Sequence, residues 1–90
     1  MILAKVAGTE VATRKDERLV GQKLLLVQAL DATGKPQGNH LVAVDTVDAG
    51  AGETVLIVSG SSARLAADLK DLPVDAAIVG IVDAVEIDSD

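Results

Sequence analysis

The stretch Asp48–Arg64, "DAGAGETVLIVSGSSAR", places an uninterrupted apolar run between two glycine-containing turns. The β-branched residues of this run favour an extended strand. Because successive strand residues point to opposite faces, the run "VLIV" at 55–58 needs cover on both faces. The runs "LLLV" at 24–27 and "AAIVGIV" at 76–82 need the same cover. The chain is therefore predicted to bury both sides of several strands.

Five extended segments and one short helix follow from the apolar runs and from the turn residues between them. The segment "DATGKPQG" at 31–38 contains two glycines and a proline, which predicts a hairpin loop. In "SSARLAADLK" a serine can cap the first turn, and leucines recur at helical spacing. The predicted strands are 2–12, 23–30, 40–47, 53–59 and 76–87, and the predicted helix is 61–70.

One short helix cannot cover both faces of a sheet, which points to an all-β architecture in which the sheet closes on itself. We expect a single domain over residues 1–90, frayed from about residue 87 onward. Its form is predicted to be a small five-stranded OB-like β-barrel with one short helix. The inner face would be the core, and neighbouring subunits would partly cover the outer face. Gly80 is expected where the last strand bends.

Composition excludes several classes of function. The chain has no Cys, Phe, Tyr or Trp and a net charge of −6, so thiolate metal sites, disulfides and aromatic nucleic-acid platforms are absent. An acidic chain also repels phosphate backbones. No apolar run approaches the roughly 20 residues of a membrane span, and the first residues lack a secretory leader pattern. We therefore expect a soluble cytoplasmic protein that binds neither nucleic acid nor membrane.

Catalysis is not expected. His40 is the only histidine, and nothing in the spacing pairs it with Ser59, Ser61 or Ser62 in a triad. The glycines form neither a dinucleotide fingerprint nor a P-loop, and the carboxylates have no metal-ligand spacing, so no cofactor or metal is predicted. Two alternatives stay open from the residues alone. They are an OB-fold binding module and a lipoyl- or biotinyl-type carrier domain, modified at Lys35 in the hairpin tip.

Four segments in register carry a family resemblance. They are "ILAKVAGTEVAT" at 2–13, "AVDTVDAGAGETV" at 43–55, "GSSAR" at 60–64 and "DAAIVGIVD" at 75–83. Together they resemble the EutN/CcmL family, the pentameric vertex proteins of bacterial microcompartment shells, over nearly the whole chain. The resemblance implies an OB-like barrel that assembles as a homopentamer and closes fivefold vertices among hexameric and trimeric shell proteins. It implies a structural role in the shell and no enzymatic activity.

The same resemblance suggests which residues make contacts in the ring. Gly50, Gly52 and Gly60 would allow tight loops in the intersubunit and axial region, and the polar contacts there would come from Glu53, Ser61, Ser62 and Arg64. The uneven placement of charge, and not the resemblance, suggests candidate contacts at the outer rim or at one exposed face. They are Arg14, Lys15 and Arg18 in "TRKDER", or the acidic C-terminal stretch. Asp48 departs from the family pattern, since a small residue is commoner before "AGAG".

Overall fold

A computed structural model describes residues 1–9, 23–60, 63 and 75–83 of the chain. These residues form five strands in one closed barrel, with neighbours in the order β1-β2-β3-β5-β4. The strands are β1 (Ile2–Thr9), β2 (Leu24–Leu30), β3 (Pro36–Asp45), β4 (Thr54–Ser59) and β5 (Ala76–Ile81). This order is the OB arrangement, so the predicted barrel is confirmed.

The barrel is closed by a seam between β3 and β5, which is the shortest ladder between neighbouring strands. Every neighbouring pair is antiparallel except β3 and β5, which run parallel. The parallel ladder joins only two residue pairs, Val44 with Ala77 and Asp45 with Ile78. Thr46 extends the seam, because its backbone N–H and its hydroxyl both donate to the carbonyl of Ile78, at 3.3 and 2.6 Å. The end of β3 therefore carries much of the closure of the barrel.

The core inside the barrel is entirely aliphatic. Each strand alternates, so that one set of side chains packs inward. The largest fully buried side chains of this inward set are Leu25, Ile57, Ile78, Val6, Val27 and Val55, whereas Val44 is buried on the opposite face of β3. Small residues such as Ala4 and Ala43 fill the remaining interior and are 0% and 1% exposed. Branched and small side chains thus do the packing that aromatic rings perform in many barrels.

The outer side of the strands is also largely apolar, as the unbroken runs predicted. Val58 and Ala77 are covered there by Ala63, which is fully buried against them. Elsewhere the cover is incomplete, because Val42 remains 44% exposed. A large apolar residue left in water forgoes roughly 1.5–3 kcal/mol of burial, so this side favours contact with another surface.

Both boundaries of β3 differ from the prediction. The hairpin loop is shorter than 31–38, because β3 begins at Pro36 and pairs that residue with Leu30. Proline is compatible with the first residue of a strand, since its missing N–H need not enter the ladder. At the other end β3 stops at Asp45 and not at Val47, because the carboxylate of Asp45 accepts the Val47 N–H.

The last strand is also shorter than predicted, and some predicted segments lie outside the described residues. Strand β5 ends at Ile81, since its partner β4 begins at Thr54 and offers no residue beyond it to continue the predicted strand. The predicted helix at 61–70 lies outside the described residues except for Ala63, whose backbone is helical. Residues 10–12 of the predicted first strand and 84–87 of the predicted last strand lie outside them as well.

Candidate assembly site

The β3–β4 loop, residues 46–53, is the best-defined part of the predicted site. Gly52 has φ of +84°, in the left-handed region that favours glycine. Its N–H donates to the carbonyl of Val6 at 2.9 Å, and the Val6 N–H donates back to the carbonyl of Glu53 at 2.9 Å. Two backbone hydrogen bonds therefore join the loop to Val6 of β1, one from Gly52 and one to the adjacent Glu53.

Glu53 acts within its own loop. Its Oε1 accepts the Gly50 N–H at 2.6 Å, and its own N–H donates to the Gly50 carbonyl at 3.2 Å. A Cβ on Gly50 would lie 3.3 Å from this carboxylate oxygen, which leaves little room for a larger residue. The prediction gave Glu53 a contact with another subunit, and the structure shows that one of its oxygens is engaged inside the loop.

Asp45 and Lys23 are functional candidates that sequence reasoning missed. The Asp45 side chain is 0% exposed, and its two oxygens accept the N–H groups of Val47 at 3.0 Å and Ala49 at 2.8 Å. Lys23 lies 3.6 Å from Asp45 Oδ2 and 3.1 Å from Asp48 Oδ1. The signal available in the sequence was an aspartate shortly before the "DAGAG" turn at 48–52, a position that suits side-chain capping of a turn.

Lys23 also supports the unusual backbone of Asp48. Asp48 has φ of +58°, a conformation that aspartate tolerates better than most residues with a Cβ. The hydrogen bond to Asp48 is the main cause of the raised pKa of Lys23, with further contributions from the charges of Asp48 and Asp45. Lys23 Nζ also donates to the Ala49 carbonyl at 3.3 Å. The Lys23 ammonium thus contacts Asp45, Asp48 and Ala49 of the same turn.

The second predicted turn lies at the other end of β4. Gly60 has φ of +63°, and its N–H donates to the Asp75 carbonyl at 2.8 Å. The six residues of β4 separate Gly60 from the β3–β4 loop by about 20 Å at ~3.3 Å per residue. The two glycine turns therefore lie at opposite ends of β4.

Several predicted contacts lie outside the described residues. These are Ser61, Ser62 and Arg64 beside the second turn, and the rim candidates Arg14, Lys15 and Arg18. Within the described ranges, no group of three or more His, Asp or Glu is placed to hold a metal ion. The described residues also contain no helix long and apolar enough to cross a membrane.

The residues considered for other chemistry lie apart. His40 is exposed on β3 and pairs with Gln28, whereas Ser59 is on β4, and β5 separates those two strands. Lys35 does lie at the hairpin tip, where its N–H donates to Asp31 Oδ1 at 3.0 Å. The barrel thus places no serine beside the histidine among the described residues.

Comparison with known proteins gives matches along nearly the full chain. The family described as "Ethanolamine utilisation protein EutN/carboxysome" matches residues 1–83. The carboxysome shell vertex protein CcmL of Synechocystis sp. is 51% identical over 89 residues, spanning 99% of this chain and 89% of that protein. The microcompartment shell vertex protein EutN of Salmonella typhimurium is 49% identical over 85 residues, spanning 94% and 86%.

Solved structures agree with these sequence matches. The pentameric microcompartment shell protein GrpN from Rhodospirillum rubrum has a TM-score of 0.86 and 50% sequence identity to this chain. The similarity covers 97% of this chain and 99% of GrpN. The structure of Gloeobacter violaceus CcmL has a TM-score of 0.89 at 43% identity, with 98% of this chain and 91% of that one covered.

Proposed function

The chain belongs to the EutN/CcmL family, and on this premise we propose that five copies form a ring that closes a fivefold vertex of a bacterial microcompartment shell. The observation that carries the proposal is identity near one half, over almost the whole chain, to proteins named as shell vertex proteins. Those relatives are structural shell components, and this chain is likewise a structural protein and not an enzyme. They support this function over an OB-fold binding module or a carrier domain.

The outer side of the barrel supports ring formation. Leu26 of β2 and Val42 of β3 are paired neighbours on that side, half-buried and 44% exposed respectively. Leu3 and Leu56 form a second outward pair across β1 and β4. Such faces lose apolar exposure only against another surface, and a homo-oligomer supplies that surface with a second copy of the chain.

The loops at the two ends of β4 are proposed to make the close contacts of the ring. Residues 51–53 are exposed at the apex of the β3–β4 loop, yet most backbone N–H groups of the loop already have an acceptor within the same subunit. An exposed loop that is already ordered loses little entropy on contact. At the opposite end, Gly60 with Ser61, Ser62 and Arg64 would contribute the second set of contacts between subunits.

The ring is proposed to dock among hexameric and trimeric shell proteins and so to lie in the shell, inside the cytoplasm. Arg14, Lys15 and Arg18 would contribute positive charge to its outer rim. Reversing these three charges should weaken assembly with hexameric shell proteins while leaving the ring itself intact. Unchanged assembly would remove the rim role of this segment.

Native mass spectrometry at low micromolar concentration tests the ring directly. The expected dominant species has five times the 9.2 kDa mass of the chain. Addition of a hexameric shell protein should then give closed shells in negative-stain electron microscopy, and omission of this chain should leave them open at the vertices. A stable monomer would contradict the proposed function.

A charge on the apolar outer side locates the interface between subunits. Val42→Glu is expected to weaken the pentamer, because a carboxylate would be buried against apolar neighbours. Gln37→Glu places the same charge on an exposed position of the same strand and serves as the matched control. A Val42→Glu variant that stays pentameric at the wild-type concentration would move the interface to another part of the barrel.

A further inference from the structure

The β3–β4 loop is held in place by bonds to three other parts of the barrel. Its first residue, Thr46, is bonded to Ile78 of β5, and Gly52 is bonded to Val6 of β1. Lys23, directly before β2, contacts the carbonyl of Ala49. Because these bonds join the loop to residues outside it, the rest of the barrel helps to fix its conformation.

Asp45 closes the first part of this loop with its carboxylate and is also contacted by Lys23. It follows Ala43 in the inward alternation of β3, where an apolar side chain would otherwise continue the core. Its oxygens take two different backbone donors, so both oxygens are needed as acceptors. Lys23 supplies the opposite charge and also receives the Asp45 N–H on its carbonyl, at 2.8 Å.

Asp45 also belongs to the thinnest seam of the barrel. It forms one of the two parallel pairs between β3 and β5, and the next residue, Thr46, carries the last bonds of that seam. A change at Asp45 therefore reaches the loop and the seam together.

We propose that Asp45 is a positioning residue for ring assembly, which together with Lys23 sets the β3–β4 loop in its contact conformation before the subunits meet. The inference rests on the proposed function, because it needs that loop at the subunit contact. A loop that had to order on contact would weaken every interface of the ring. Fivefold symmetry repeats the loss, so a tenfold loss at each of five interfaces lowers the assembly constant roughly 10⁵-fold.

Asp45→Asn is the most selective test. Asparagine has nearly the same shape but replaces one acceptor oxygen with an N–H₂ donor, so either Val47 or Ala49 loses its acceptor. Lys23 loses a charged partner in the same step. Asp83→Asn is the matched control, since it removes the same charge at an exposed residue after β5.

The ring and the loop are measured separately. Native mass spectrometry over a dilution series should show the Asp45→Asn ring dissociating at a subunit concentration at least about tenfold above that of the wild type and of Asp83→Asn. Amide hydrogen exchange should rise at residues 47–52 while β1 and β2 keep their protection. A purely structural role would instead lower the protection of the whole barrel along with the loop.

Each result bears on one of the two proposals. An Asp45→Asn ring as stable to dilution as the wild type would overturn the positioning role and leave the vertex function standing. A wild-type chain that forms no pentamer would overturn the proposed function and the assembly role with it. Loop exchange in the variant would then still report whether Asp45 orders the loop.

A second variant covers the case in which Asp45→Asn does not fold. Lys23→Met keeps the carboxylate and its two backbone donors but removes the contacts to Asp45, Asp48 and Ala49. It should weaken the ring several-fold relative to Lys35→Met, which removes an exposed lysine at the hairpin tip. Equal dissociation of the two lysine variants would overturn the proposal.

Discussion

Two loops of this barrel have an aspartate at the point where the preceding strand ends, but they are held in different ways. Asp31 closes the β2–β3 hairpin by accepting the N–H and hydroxyl of Thr33 at 2.8 and 2.6 Å and the N–H of Lys35 at 3.0 Å. All of these bonds lie within five consecutive residues. Asp45 also closes its own turn, yet it is buried and is joined to Lys23 from 22 residues earlier in the chain.

The difference separates a local loop from an anchored one. The hairpin tip can open without disturbing another strand, because its bonds begin and end within the tip. The β3–β4 loop cannot open in this way without releasing bonds to β1 and β5. Rigidity at an exposed loop thus depends here on where the bonding partners lie in the barrel.

The largest difference between the loops is expected on removal of each aspartate. Asp45→Ala leaves two N–H groups without an acceptor and removes one of the two carboxylates that Lys23 contacts, which should cost about 3 kcal/mol of unfolding free energy. Asp31→Ala should cost clearly less, because water reaches the exposed donors of Thr33 and Lys35. Urea unfolding followed by far-UV circular dichroism measures both, since the chain has no aromatic residue to report by fluorescence.

These unfolding experiments need one fixed subunit concentration, because the apparent stability of an oligomer depends on it. Equal losses for Asp31→Ala and Asp45→Ala would contradict the distinction between a local loop and an anchored loop. A larger loss for Asp31→Ala would reverse it.

Replacing a glycine with alanine should destabilise the two loops unequally, but the difference in unfolding free energy should be smaller than for the aspartates. Gly52 and Gly34 have nearly the same φ, +84° and +88°, and a Cβ would meet no atom within 4 Å at either position. Alanine is strained in this conformation by roughly 1–2 kcal/mol. Gly52→Ala should show most of that strain, because the bond to Val6 fixes the backbone, whereas Gly34→Ala should relieve part of it by local movement. Identical unfolding midpoints would show that the Val6 bond does not fix the loop.

The two loops should also lose their charge-dependent stabilisation at opposite ends of the pH scale. Hydrogen bonds from Thr33 and the backbone lower the pKa of Asp31 from 3.8, so its contribution is present above that pH and is lost as the pH falls through the folded value. The hydrogen bond to Asp48 raises the pKa of Lys23 from 10.5, so its contribution is present below that pH and is lost as the pH rises through the folded value. The difference in unfolding free energy between the wild type and Asp31→Asn should therefore disappear in acid. The corresponding difference between the wild type and Lys23→Met should disappear in alkali. Gaps that persist at both limits would show that charge contributes to neither loop.

The smallest effect is expected at Gly80, which serves as a reference for the loop glycines. It lies beside a register shift between β4 and β5, but its φ is not in the left-handed region. A Cβ there would make an ordinary contact with Leu56 at 3.8 Å. Gly80→Ala should therefore change the unfolding free energy by less than about 0.5 kcal/mol. A loss as large as that of Gly52→Ala would show that the bend itself requires glycine.

Much of the fold could be predicted from the sequence because the signals were local or periodic. The apolar runs located all five strands, and their two-sided character indicated a closed barrel with an apolar outer side. The hairpin was anticipated, although its loop was drawn too long. Gly34 and Gly38 both have positive φ, but Gly38 lies within β3. The number of glycines in the segment does not show where the strand begins.

Less of the candidate site could be predicted. Gly52 was identified for its turn, and its left-handed φ agrees with that interpretation. Nothing in the spacing linked Lys23 to Asp45, because the lysine precedes one strand and the aspartate ends the next. The positions of Gly52 and Gly60 at opposite ends of β4 were predicted as well, because the apolar run between them favours an extended strand.

The sequence by itself determined the strands, the aliphatic core and the need for cover on both faces of the sheet. These properties follow from side-chain type and alternation, which act between residues close along the chain. The tertiary structure alone decided which carboxylate is buried, which lysine faces it and which strands fasten the β3–β4 loop. Those relations join residues far apart in the chain, and only closure of the barrel brings their hydrogen-bonding groups within reach of each other.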